Sequence, residues 1–296
     1  MTAILDDAAR ARLIDRFGPQ VGPWCDALPV LVARLAERWG LTVVGARPGN
    51  TGRTLMCRGP QGDSRVLKLC PDQEVSAGEA TALQTWAGLS RVVQVLEVDF
   101  EAGAVLLEGL EPGTQLTGRG ADVPWTEVAD LLAQLHSVQL PSVPAAGPFP
   151  SLATRVGLMF DLAERRLRGS AAEPRLPLEL LHHARVRAED LATGGPTALL
   201  HGDLHPGNVL DAGPARGIVA IDPRPCLGDP AFDAVDWALL PMAAGGTLDD
   251  GVTKLPDLDA DRVRAWCAAL APLVAMAPLR AGAPTPFTDA LLEMAR

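Results

Sequence analysis

The stretch LLHGDLHPGNVL, residues 199–210, sets His201, Asp203, His205 and Asn208 between two apolar ends. Pro206 and Gly207 impose a turn, after which NVL opens an extended run that can pair with GIVAID (217–222) across the turn-forming DAGPARG. On that reading Asn208 and Asp222 flank the two ends of one hairpin, with Asp203 on the loop before it. Two of these oxygen-bearing side chains suit Mg2+, which takes hard oxygen ligands, and Asp203 is left to meet a substrate hydroxyl. Phosphoryl transfer needs such an arrangement, because its catalysis is mostly positioning and charge neutralisation. The 5 histidines are too few and too scattered to complete a zinc set around His201 and His205. Both read as loop residues satisfied by nearby backbone groups.

The elements that must hold these residues follow from apolar periodicity. Helical spacing runs over 7–17 and 24–39, followed by β-like segments at 41–47, 54–58 and 65–69, a helix at 74–88, and strands at 92–98 and 103–108. From 125 the pattern is helical (125–138, 151–168, 177–192). Strands at 208–210 and 218–222 interrupt it before helices at 230–241, 259–271 and 286–295. A strand-rich first third ahead of a helix-rich remainder predicts an α+β fold in two lobes, 1–107 and 108–296. A Pro-rich linker, LPSVPAAGPFPS, covers 140–151.

His201, Asp203 and Asn208 reproduce the His, Asp and Asn separations of the protein-kinase catalytic loop, H-R-D-x-x-x-x-N, and Asp222 stands where that pattern has a second metal-binding Asp. A lysine with an acidic partner then belongs upstream. Of the 26 basic residues only Lys68 and Lys254 are lysines, and Lys68 falls on the strand-like VLKL. On the next helix Glu79 shares a face with Leu83 and Trp86 and points inward, whereas Glu74 is off that face. Taken singly, either residue could equally be a surface charge.

LLHGDLHPGNVL, IVAIDPRPCLGDPAFDAVDW, VLKL and GEATALQTW together resemble the aminoglycoside phosphotransferase family, most closely its streptomycin and hydroxyurea phosphotransferase branch, over residues 28–237. The resemblance implies a protein-kinase-like fold: an N-terminal lobe with a mostly antiparallel sheet and one key helix, and a mainly helical C-terminal lobe. It implies ATP in the cleft of such a fold, Mg2+, and a small-molecule hydroxyl as acceptor. Asp203 would be the catalytic carboxylate, Asn208 and Asp222 the Mg2+ ligands, and Lys68, paired to Glu79, the residue on the α- and β-phosphates. LLEGL (Leu106, Leu107, Glu108, Gly109 and Leu110) resembles the hinge whose backbone holds adenine. The sequence has no G-x-G-x-x-G; RPGNTGRT (47–54) sits where a phosphate-covering loop belongs, with Asn50, Thr51 and Gly52 as its candidates.

A net charge of −10 argues against nucleic acid or an anionic membrane as partner. No signal-peptide pattern opens the chain, and AWCAALAPLVAMAPL, from Ala265, carries Pro272 and Pro278 and falls short of the ~20 residues of a spanning helix. The expectation is a cytoplasmic protein with reduced thiols at its 5 scattered cysteines. Most of the negative charge lies beyond residue 109. There Asp229, Asp233 and Asp236 fall at i, i+4 and i+7, a stripe with two readings. Acids in a first helical turn are favoured by the helix dipole; alternatively Asp233 or Asp236 holds a cationic, polyhydroxylated acceptor, with Trp237 packed on it and Asp229 capping the helix ahead of Pro230. Three readings remain: an aminoglycoside kinase, a metabolic kinase for hydroxyurea, amino sugars, choline-like alcohols or glycated amines, and a catalytically silent nucleotide-binding relative. A protein kinase is disfavoured, since Asp222 to Pro230 is too short for an activation segment.

Overall fold

In a computed structural model, which describes residues 4–49, 51–119, 122–138 and 149–296, the chain begins with helices α1 (Asp7–Phe17) and α2 (Gly22–Trp39). Strands β1 (Thr42–Arg47), β2 (Arg53–Arg58) and β3 (Ser64–Leu69) follow, then helix α3 (Gln73–Thr85) and strands β4 (Val95–Asp99), β5 (Ala104–Glu108) and β6 (Thr114–Gln115). Helices α4 (Trp125–Ser137), α5 (Leu152–Leu167) and α6 (Leu178–Thr193) precede strands β7 (Ala198–Leu200), β8 (Val209–Asp211), β9 (Ile218–Ala220) and β10 (Cys226–Gly228). Helices α7 (Val235–Ala243), α8 (Leu248–Val252), α9 (Ala260–Arg280) and α10 (Pro286–Ala295) end the chain. Residues 140–148 of the Pro-rich stretch lie outside the described residues. The chain divides into two units, 1–114 with 210–221, and 115–209 with 222–296.

The first unit is built on an antiparallel sheet of order β1-β2-β3-β5-β4. Leu28, Val32 and Leu35 recur at i, i+4 and i+7 on α2 and meet Leu55, Leu67, Leu69 and Leu106 of the sheet. Each such buried leucine contributes roughly 1.5–3 kcal/mol. Strand alternation turns Lys68, between Leu67 and Leu69, to the opposite face. Helix α3 packs against β4 and β5. Its N-cap Asp72 accepts from the amides of Glu74 and Val75 at 3.1 and 3.2 Å, and its buried face carries Ser76, Glu79, Ala80 and Leu83. Residues 210–221, most of the β8–β9 hairpin, cluster with this unit.

In the second unit α9 packs on α6, α7 and α10. It runs past the expected end at 271 because Pro272, Ala275, Met276 and Leu279 are buried, and that packing offsets the amides lost at Pro272 and Pro278. By length and composition α9 could cross a membrane, but 56% of its apolar window is buried within the protein. The segment expected as one helix over 230–241 is a 3-10 turn, Pro230–Ala234, followed by α7. Burial pushes the Cys57 thiol up to about 11 and Cys226 and Cys267 to about 12, which leaves them inert at neutral pH.

Candidate active site

Strands β7 and β10 pair antiparallel, Leu200 opposite Cys226, which brings the start of the 201–208 loop beside the 3-10 turn that follows β10. Gly202 sits at φ +74°, and a Cβ there would fall 2.1 Å from the Arg224 carbonyl oxygen, so only glycine fits. The buried Asp233 carboxylate accepts from the His201 and Gly202 amides, both at 2.8 Å. His136, at the end of α4, lies 3.0 Å from the same carboxylate through Nε2; an ionised carboxylate only accepts, so this nitrogen carries the proton. Burial would raise the Asp233 carboxyl, but His136, His201 and the Gly202 amide more than offset it and hold it below the usual carboxylate range.

On this anchored loop the Asp203 side chain is 42% exposed. Asn208 Nδ2 donates to the Asp203 carbonyl at 2.9 Å and to its Oδ2 at 3.3 Å, which leaves the amide oxygen of the buried Asn208 as an acceptor suited to a hard cation. His205 Nδ1 accepts from the Gly207 amide at 3.0 Å, and His201 Nδ1 from the Asp203 amide at 3.4 Å. Asp222, two residues past β9, is held at φ +60°, a conformation Asp tolerates better than most residues and one that concentrates at functional positions.

The acidic stripe does not form, because the 3-10 turn breaks helical phase between Asp229 and Asp236. Asp229 caps the turn through the Ala231 amide and takes Arg262 Nε at 2.6 Å and Trp266 Nε1 at 2.7 Å. Asp233 is buried on the His201 and Gly202 amides and cannot hold an acceptor. Trp237 is fully buried and cannot pack on one either. Asp236 is exposed. Crowding by surrounding protein nevertheless pushes its carboxyl up to about 6, with His205 opposing the rise and the Asp203 charge adding to it.

In the first unit Lys68 Nζ pairs with Glu79 Oε1, both largely covered. Leu106, Leu107 and Glu108 lie in β5, flanked on both sides by β3 and β4. The ladder therefore engages the backbone of the first two, and the hinge candidates narrow to the strand end. The Glu108 carboxylate is taken by the Gln94 amide at 2.8 Å and Arg216 at 2.6 Å. Gly109 N donates to Ser64 O at 2.9 Å, and Leu110 follows the strand. Asn50 lies outside the described residues. Thr51 accepts from Cys70 Sγ at 3.0 Å through its carbonyl, and a Cβ on Gly52 would fall 2.2 Å from the Leu69 oxygen.

Sequence reasoning missed Arg155 on α5, whose Nη2 lies 3.7 Å from Asp203 Oδ1. No motif marks it. It also offered Asp233 as a possible ligand for the acceptor, whereas the structure seats it on the loop amides with His136 on the same carboxylate.

The crystal structure of aminoglycoside phosphotransferase APH(4)-Ia superposes with a TM-score of 0.61 over 90% of this chain and 99% of its own, at 17% identity. That likeness establishes a protein-kinase-like fold. A family model, aminoglycoside/hydroxyurea antibiotic resistance kinase, matches residues 38–282, and the chain belongs to that family. Hydroxyurea phosphotransferase of Kitasatospora aureofaciens is 39% identical over 264 residues, 85% of this chain and 73% of that protein. Streptomycin 6-kinase of Streptomyces glaucescens is 36% identical over 219 residues, 73% and 68% respectively. The protein is accordingly a phosphotransferase that uses a nucleotide and acts on a small molecule.

Proposed function

We propose that the chain transfers the γ-phosphoryl group of ATP to a hydroxyl of a cationic, polyhydroxylated aminoglycoside such as streptomycin. The state of Asp203 carries this reading: it is open to solvent, anchored by Asn208 through Oδ2, and free of hydrogen bonds at Oδ1 among the described residues. Such a carboxylate can orient an acceptor hydroxyl and take its proton as the oxygen bonds to the γ-phosphorus, while the bond to the β-phosphate oxygen breaks and ADP leaves. Lys68, steadied by Glu79, meets the α- and β-phosphates; Gly109 and Leu110 border the adenine; and Thr51 and Gly52, with Asn50, belong to the loop over the phosphates. Asn208 and Asp222 would hold Mg2+, which supplies charge neutralisation on the phosphate oxygens when bound. No cluster of three or more His, Cys, Asp or Glu among the described residues could hold a metal, so these two residues need nucleotide oxygens and water to complete the coordination shell.

Asp236 favours a cationic acceptor, because it is exposed and shares its surroundings with Asp203. A second reading, hydroxyurea, is favoured by the 39% identical relative. Following ADP release across streptomycin, other aminoglycosides, hydroxyurea, amino sugars and choline separates them. The expected outcome is turnover of streptomycin with a KM that falls as pH rises through about 6, the value at which Asp236 ionises, and that rises with salt. Asp236→Asn should flatten both dependences. Turnover of neutral acceptors alone, with no salt effect, would overturn the aminoglycoside reading in favour of hydroxyurea.

A further inference from the structure

Arg155 lies in the first turns of α5, downstream of the N-cap Ser151. Its side chain is 21% exposed, its Nε is buried without a partner, and its guanidinium makes no hydrogen bond among the described residues. A buried Nε–H without an acceptor is unfavourable, so its placement calls for a reason. The stem passes under the catalytic loop: a Cβ on Gly202 would come 3.3 Å from Arg155 Nε. The head reaches one carboxylate, Asp203 Oδ1, at 3.7 Å, beyond hydrogen-bonding distance.

That distance is informative. A bidentate arginine–carboxylate pair sits closer, at about 2.7–2.9 Å, and would occupy both oxygens. Here Oδ2 is anchored by Asn208, while Oδ1 feels the guanidinium charge yet keeps its lone pairs for an acceptor hydroxyl. The charges of Asp203 and Asp236 oppose one another, and His205 acts on Asp236 in the opposite sense. We propose that Arg155 is a positioning residue for phosphoryl transfer, whose charge, set beside Oδ1 without bonding to it, keeps Asp203 aimed at the acceptor.

This rests on Asp203 being the catalytic carboxylate, and a double-mutant cycle separates the two ideas. ADP release would be followed with streptomycin, hydroxyurea or water as the phosphoryl acceptor in Arg155→Met, Arg155→Gln, Arg155→Lys, Asp203→Asn and Arg155→Met/Asp203→Asn, each checked by thermal melting. Loss of aim alone is expected to lower kcat on the order of 10²-fold in Arg155→Met and Arg155→Gln, with KM for ATP little changed. Arg155→Lys, which keeps the charge, should recover most of the rate. In the Asp203→Asn background Arg155→Met should cause no further loss. Full activity of the neutral variants, or a loss that adds to that of Asp203→Asn, overturns the inference. Retained activity in Asp203→Asn itself overturns the proposed function instead.

Discussion

Two loops of this protein are held by different means. The 201–208 loop is fixed by named side chains: Asp233 on two of its amides, Asn208 on Asp203, and Gln115 Nε2 on the Gly207 carbonyl at 2.8 Å. Residues 47–49 and 51–53 are gripped at their backbone: Cys70 Sγ donates to the Thr51 carbonyl at 3.0 Å, Arg53 Nη1 to the Arg47 carbonyl at 3.3 Å, and Gly52 comes close to Leu69. Side-chain bonds demand particular residues and so leave a pattern in the sequence. Contacts that fall on loop carbonyls and close approaches constrain the loop's own residue types less, which is why the second loop carries no recognisable signature.

The sharpest way to break this comparison is at Asp233. Asp233→Ala leaves two loop amides and the His136 ring without their acceptor, and the unfolding free energy should fall by roughly 3–5 kcal/mol, read from denaturant melts. A loss below about 1 kcal/mol, the range of a single ordinary hydrogen bond, would mean that the loop is held by other groups. Because the Asp233 carboxyl is depressed in the folded state, its contribution is present above the unfolded carboxyl range and fades as pH falls through the folded value.

At Asp203 the expected loss is of function rather than stability. Asp203→Asn should reduce turnover by at least about 10²-fold, in keeping with general-base contributions, while the melting temperature stays near that of the parent. Wild-type turnover on a verified acceptor would remove Asp203 from its assigned role.

The smallest effect belongs to the backbone-held loop. In Gly52→Ala the new methyl meets the Leu69 carbonyl, and local overpacking should raise KM for ATP by about tenfold, the equivalent of 1–2 kcal/mol. An unchanged KM would place nucleotide binding away from this loop.

The same contrast explains what could be read in advance. Leu28, Val32 and Leu35 on α2 and the alternation around Lys68 are periodic signals, and both elements formed where periodicity put them. Strands β6, β7 and β10 and helix α8 have five residues or fewer, too short for any period to register; β8 and β9 are as short and were legible through the Pro206-Gly207 and DAGPARG turns beside them. The 3-10 turn at 230–234 escaped because Asp-Pro opens a 3-10 turn and an α-helix alike, and its phase then misplaced Asp233 and Trp237. Arg155 was invisible for a different reason: its relation to Asp203 depends on how α5 packs beneath Gly202, and no local pattern encodes that.

Arginine carries nearly all of the positive charge, so an amine-directed reagent meets only two lysine side chains. Lys254 follows α8 in the open, whereas Lys68 is paired to Glu79 and about four-fifths covered. Apart from any free α-amino group, the protein offers acylation chemistry two sites, of which the slow one is the lysine assigned to the phosphates. With Lys68 in its proposed role, nucleotide occupancy would acquire a mass signature, the protection of a single side chain, against a background that arginine keeps silent.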